Sequence, residues 1–214
     1  MLITILTSAV SNEYNTAFWI LSYLLHDKTL LGRVKNETES AWNSGQLDVQ
    51  YLCANSSCLE AILNETLRVK NGAGALRIVI QETVIGGKLL QPGNSVMIPF
   101  RQLHSNENVW GQTVHEFDPS RFLGKRNLAR HPSFRPFGGG ATYCPGRVMA
   151  KEQVFGFIAI ILHRFTIGLA DIPGQKQQFP KLNDKTPSLG VSGPLRGMDV
   201  IMTMAKTEGQ DTKG

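Results

Sequence analysis

No proline precedes Pro92 and no glycine precedes Gly32 in this 214-residue chain. The opening third is therefore free to form long helix, because proline is missing from it and glycine is absent from its first 31 residues. Cysteine is scarce: three residues, an odd number, exclude a disulfide framework and leave the thiols reduced, free to serve as ligand or nucleophile. No Lys/Arg run concentrates the net charge of +5, so nucleic-acid binding is not expected. A basic face for an acidic partner protein remains open. No apolar stretch reaches the ~20 residues of a membrane span. Met1–Val10 is apolar but is interrupted by the polar Ser11–Thr16, and it lacks the basic leader of a signal peptide. Repeats and low-complexity tracts are also missing. What is present, 42% hydrophobic and 18% charged residues, suits a folded core of one domain or a little more.

Hydrophobicity resumes at Ala17-Phe18-Trp19-Ile20-Leu21, and Leu2–His26 reads as one buried helix about 37 Å long. The polar belt across its middle has two readings: a buried hydrogen-bonded cluster (or a turn between two helices), or a helix passing over a ligand. A second helix is expected over Ser57–Lys70, with Leu59, Ile62, Leu63 and Leu67 on one stripe. On spacing alone Glu65 and Arg68 are an i, i+3 surface pair. Strands are expected at Leu76–Gln81, at Thr83–Leu90 (broken by Gly86-Gly87) and at Ser95–Phe100. Pro145–Phe165 reads as a core helix, with Val148, Val154, Phe155, Phe157, Ile158, Ile161 and Leu162 inward. Thr166–Met204 suggests short strands, and Ala205–Gly214 a frayed end. The fold class is mainly α with small β-sheets. The sequons at Asn36, Asn55 and Asn64 are read as chance matches.

One segment carries chemistry: Pro136-Phe137-Gly138-Gly139-Gly140-Ala141-Thr142-Tyr143-Cys144-Pro145-Gly146-Arg147. Its glycines permit close backbone approach to a bulky group. Cys144 stands at a helix entry, where unpaired N–H groups and the dipole favour an anionic sulfur. Such a thiolate is a metal ligand or a nucleophile. A phosphate loop would need a Lys-Ser/Thr pair that is not there. A zinc site would need clustered ligands, and Cys53 and Cys58 lie far off in sequence. A Cys nucleophile would need His131 or His163 as base, although His163 reads as a packed core residue.

Phe137-x-x-Gly140-x-x-x-Cys144-x-Gly146 resembles the haem-thiolate loop of the cytochromes P450. Glu65-Thr66-Leu67-Arg68 resembles the family's E-x-x-R helix, and Pro119-Ser120-Arg121-Phe122 its P-x-R-F segment. The resemblance implies haem b with Cys144 as the axial iron ligand. It implies Phe137, Gly138, Gly140 and Gly146 around the sulfur and Arg77 on a propionate. It puts Thr142 where the family usually has Arg or His. Glu65, Arg68 and Arg121 become a buried triad, and His104 a structural residue. Leu2–His26 becomes the distal helix, with Asn12 and Glu13 at the positions that deliver protons to dioxygen. Thr16, three residues on, is expected to point elsewhere.

The matched part is the C-terminal half of a usual family member, so 1–214 is read as a single partial domain without the N-terminal half or membrane anchor. The Gly-Gly-Gly-Ala-Thr-Tyr-Cys-Pro-Gly-Arg loop and Phe18-Trp19 most resemble sterol 7α-hydroxylases, prostacyclin synthase and fungal relatives. The implied activity is monooxygenation of a small apolar, sterol- or lipid-like substrate, with NADPH-cytochrome P450 reductase as electron donor. The full-length protein is expected in the endoplasmic reticulum membrane, and this chain alone off it. The alternatives are a peroxide isomerase or dehydratase needing no redox partner, and a truncated, non-catalytic remnant.

Overall fold

The structure is a computed structural model that describes residues 2–124, 128–174, 176–186 and 188–207, with side chains described from Ser11 onward. Helix α1 (Leu2–His26) ends where Asp27 caps the next helix, α2 (Lys28–Glu39), by accepting a hydrogen bond from Leu30 N at 2.9 Å. A hairpin follows, β1 (Trp42–Asn43) and β2 (Gln46–Leu47), turning through Ser44 and Gly45 with φ of 49° and 77°. The sequence reading contained no such hairpin. Asp48 then caps α3 (Val49–Asn55).

Helix α4 (Ser57–Lys70) starts at a serine that makes no side-chain cap bond. Glu37 of α2 caps it instead: its two carboxylate oxygens accept from Cys58 N (2.8 Å) and Leu59 N (2.9 Å). The cap therefore also fixes the packing of α2 on α4.

Four two-stranded antiparallel sheets or hairpins complete the β content among the described residues. β3 (Gly74–Ile78) pairs with β6 (Ser95–Pro99). The expected Thr83–Leu90 strand is a hairpin of β4 (Thr83–Ile85) and β5 (Lys88–Leu90), because Gly86 and Gly87 both take positive φ. Phe100 does not extend β6; it opens the short helix α5 (Phe100–His104), followed by α6 (Glu107–Trp110). Pro119–Phe122 and Gly140–Thr142 are 3-10 turns. Helix α7 (Arg147–Arg164) leads into β7 (Phe165–Leu169), which pairs with β8 (Met202–Lys206). Ala205 and Lys206 are thus paired in a sheet and not frayed; 208–214 lie outside the described residues.

The main core joins Trp19, Ile20 and Leu24 of α1 to Leu59 and Ile62 of α4 and to Phe155, Ile158 and Leu162 of α7. On α7 the inward stripe is Val154, Phe155, Ile158, Ala159 and Leu162. Val148 (58% exposed) and Phe157 (43%) lie off that stripe and face outward, contrary to the expected core placement. His163 is not a core residue either. It stacks on Trp42 at 3.8 Å and meets Glu39 Oε2 at 3.2 Å. Lys70 closes the other end of the core. Its ammonium stands 3.8 Å from the Trp19 ring centroid and 5.5 and 5.3 Å from those of Tyr23 and Phe179. Burial pushes its pKa down to about 8, while the facing rings favour the charged form.

Glu65 and Arg68 are not a surface pair. Glu65 has no exposed surface, and its two oxygens take Arg68 Nε and Nη2 at 2.7 Å each. Arg121 Nε approaches Glu65 Oε1 at 3.5 Å, and Asp118 N donates to the same oxygen at 2.9 Å. The remaining guanidinium protons reach backbone carbonyls: Arg68 those of His104, Val114 and Glu116, Arg121 those of Trp110 and Thr113. His104 extends this network. It is buried, and its Nε2 accepts from Arg135 N at 2.9 Å.

Burial first, then the Arg68 charge, lowers the His104 pKa from 6.5 to about 4. Below pH 6.5 the unfolded chain takes up a proton that the folded chain refuses. The stability held by a neutral His104 is complete above pH 6.5 and is lost as the pH falls towards 4, on the order of 3 kcal/mol. Urea unfolding of wild type and His104→Gln at pH 7.5 and pH 5 should show a steeper acid loss in wild type. Equal losses would remove His104 as the cause.

Candidate cofactor site

The loop before α7 is a series of tight turns. Gly138 (φ 79°) closes on Arg135 O, and Gly140 (φ 65°) starts the turn closed by Tyr143 N at 3.2 Å. Cys144 N donates back to Phe137 O at 3.1 Å, which brings the two ends of the loop together. α7 begins at Arg147 with Gly146 as N-cap, two residues later than the expected start at Pro145. A Cβ on Gly146 would stand 3.9 Å from Cys144 Sγ, so the sulfur lies against the helix entry. Arg147 donates to Cys144 O at 3.1 Å and covers the Tyr143 ring at 4.5 Å.

A cavity of about 620 Å³ opens beside this loop. That volume suits a cofactor-sized ligand, for which ~300–1,000 Å³ is usual. Phe137, Gly138, Thr142, Cys144 and Gly146 line it from the loop, and Asn12, Glu13 and Thr16 line it from α1. Gly140, expected here, is not part of the wall. Its positive φ shapes the loop instead. Arg77 on β3 lines the wall next to Thr142, donating to Thr142 Oγ1 at 2.5 Å and reaching Gly139 O at 3.4 Å. This fixes the Arg77 cation at the wall beside the Thr142 hydroxyl; Lys151, paired with Glu60 at 3.1 Å, also lines the cavity.

The polar belt of α1 does two jobs. Asn12 Oδ1 accepts from Val191 N at 3.0 Å, Asn15 Nδ2 donates to Val191 O at 2.8 Å, and Trp19 Nε1 donates to Ser192 O at 2.8 Å. Asn12 therefore lines the cavity with its amide oxygen already engaged. Thr16 does reach the cavity, contrary to expectation. It lies three and four residues after Glu13 and Asn12, on the same helix face, and its hydroxyl donates to Asn12 O at 2.7 Å. Glu13 also faces the cavity, and burial raises its carboxyl above the usual range. With its amide turned nitrogen-inward, Gln153 of α7 donates to Glu13 Oε1 at 3.0 Å. Sequence reasoning missed Asn15, Phe100 and Leu189–Val191. The loop partners of α1 lie some 170 residues away, where no local pattern reports them.

Among the described residues no three His, Cys, Asp or Glu gather to hold a metal ion. Cys58 is buried in the main core and Cys53 packs against it. Neither His131 nor His163 lines the cavity with Cys144, so neither serves it as a base. What remains is a single thiol at a helix entry, facing an apolar slot.

A profile of the family described as "Cytochrome P450" matches residues 1–191. This chain belongs to the cytochrome P450 family. Its relatives include a cytochrome P450 monooxygenase of Gibberella zeae, 28% identical over 75% of this chain and 34% of that protein. A bifunctional cytochrome P450/NADPH–P450 reductase of Gibberella moniliformis is 29% identical over 78% of this chain and 15% of its own length. The fold is that of a solved cytochrome P450DA heme domain, with TM-score 0.72 and 21% identity over 92% of this chain and 41% of that one. The chain spans between about a seventh and two fifths of the curated relatives it matches.

Proteins of this family carry haem b with a Cys thiolate on the iron. The residues present fit that group. Among the described residues the only thiol in the wall is Cys144, glycines keep the backbone beside it bare, and Arg77 would offer a cation to a propionate. Among the described residues no helix is long and apolar enough to cross a membrane.

Gly190 passes α1 so closely that a Cβ there would collide with the Asn12 amide. Gly190→Ala should lower stability by about 1–3 kcal/mol. Thermal unfolding against wild type measures it, and an unchanged midpoint would mean that this approach is not tight.

Proposed function

We propose that the chain is the haem-bearing part of a monooxygenase that inserts one oxygen atom of dioxygen into an apolar, sterol- or lipid-like substrate. The observation that carries this reading is one cavity walled both by Cys144 and by the polar belt of α1. When bound, haem b supplies the iron at which dioxygen is activated. Cys144 holds that iron and pushes charge onto it. Phe137, packed against the main core, keeps water from the sulfur. Arg77 pairs with a propionate, and Thr142 adds a neutral hydrogen bond. Glu13, whose carboxyl burial raises, stands at the cavity wall with the Thr16 hydroxyl one turn away.

The apolar lining, including Leu67, Phe100 and Val154, supports an apolar substrate. The likeness of the Cys144 loop and of Phe18-Trp19 to sterol 7α-hydroxylases and prostacyclin synthase supports the sterol or lipid class. NADPH-cytochrome P450 reductase is the proposed electron donor. A fused relative and the net charge of +5 support it. The endoplasmic reticulum membrane is proposed for the full-length protein.

One observation favours a second reading, a peroxide isomerase or dehydratase with the same haem. The Thr16 hydroxyl proton is committed to Asn12 O, which leaves the Glu13 carboxyl as its neighbour at the cavity.

The haem-loaded protein, reduced and exposed to carbon monoxide, should show the red-shifted Soret band of thiolate ligation. Cys144→Ala should lack it. A wild type without that band overturns the haem assignment. Product that requires NADPH and reductase supports the monooxygenase; product from a hydroperoxide without reductase supports the isomerase.

A further inference from the structure

Leu189–Gly193 is held like an added strand. On one side Gly72 N donates to Gly190 O (2.8 Å) and Ser192 N to Lys70 O (2.9 Å), with Asn71 and Val191 in an antiparallel bridge. On the other side successive turns of α1 supply Asn12, Asn15 and Trp19. Asn12 accepts from the Val191 N–H and Asn15 donates to the Val191 carbonyl, so two amides close on both polar groups of one residue. Trp19 takes the next carbonyl. The approach excludes side chains: a Cβ at Gly190 would collide with Asn12, and one at Gly193 would stand 3.2 Å from Asn15 Oδ1. Leu189 lies two residues before the clamped peptide. It lines the cavity and is 91% exposed, so side-chain packing does not hold it. Its place is set by the backbone that follows.

We propose that Asn12 and Asn15 are positioning residues that set the mouth of the cavity by fixing the Val191 peptide and, through it, Leu189. The inference rests on the haem reading of the same cavity. Asn15 is the informative member, because it is outside the cavity wall and acts only through Val191. Removing its donor frees the strand on the α1 side and lets Leu189 move, which alters the space for long apolar ligands. Small ligands that reach only the deep end of the cavity are unaffected.

Asn15→Asp tests this with an isosteric side chain that has lost the donor, and Asn15→Ala serves if the aspartate fails to fold. In the protein without added ligand, amide hydrogen exchange at Val191 and Ser192 should quicken by about fivefold or more, with α4 and α7 unchanged. In the haem-loaded protein, 1-methylimidazole and 1-dodecylimidazole are titrated and followed by the iron difference spectrum. The variant should bind 1-methylimidazole as wild type does and change its relative affinity for the dodecyl compound by about threefold or more. Unchanged exchange at Val191, or an unchanged affinity ratio, overturns the proposal. If neither imidazole perturbs wild-type iron, the haem reading fails, and exchange at Val191 alone decides the clamp.

Discussion

A carboxylate with no exposed surface, Glu65, holds the architecture in register. Its charge is tolerable only because Arg68 meets it with two hydrogen bonds and Arg121 approaches from the other side. The further bonds of those guanidiniums go to residues 104–116, nearly all to backbone carbonyls, in a stretch with little secondary structure of its own. The constraint then passes on. Arg68 holds the His104 carbonyl, the His104 ring holds Arg135 N, and Arg135 introduces the Cys144 loop. Asn71, just after α4, fixes the Pro136 carbonyl at 3.0 Å. One buried charge thus locates the sulfur from two directions.

Two long helices, α1 and α7, share the main core, and residues of both line the cavity. The glycine loop supplies one part of its wall and the α1 belt another. The loop contributes one soft ligand and little bulk. The belt contributes polar groups largely engaged with their own chain. Chemistry at such a place depends more on what the slot receives than on a constellation of protein acids and bases.

Much of this was legible in the residues. Leu2–His26 and Ser57–Lys70 were readable to their ends, because apolar periodicity marks them. The Cys144 loop was readable because its meaning is packed into ten consecutive residues. The belt was legible as a choice between two roles, and the structure gives it both: Asn15 and Trp19 are hydrogen-bonded to the chain, and Glu13 and Thr16 face the cavity. What stayed hidden depends on distant partners. Nothing near Asn12 announces Val191, and nothing near Ser56 announces that Glu37 caps the next helix. Phe157 looks like core in composition and is placed outward only by its angle on α7.

The Trp19 indole bonds the Ser192 carbonyl through its edge and receives the Lys70 ammonium on its face. One ring therefore serves two neighbourhoods that otherwise have separate tasks. Changes at Lys70 and in the strand at Ser192 should not be independent, since each alters how the other is supported. Such a shared ring makes a substitution on either side conditional on what stands on the other.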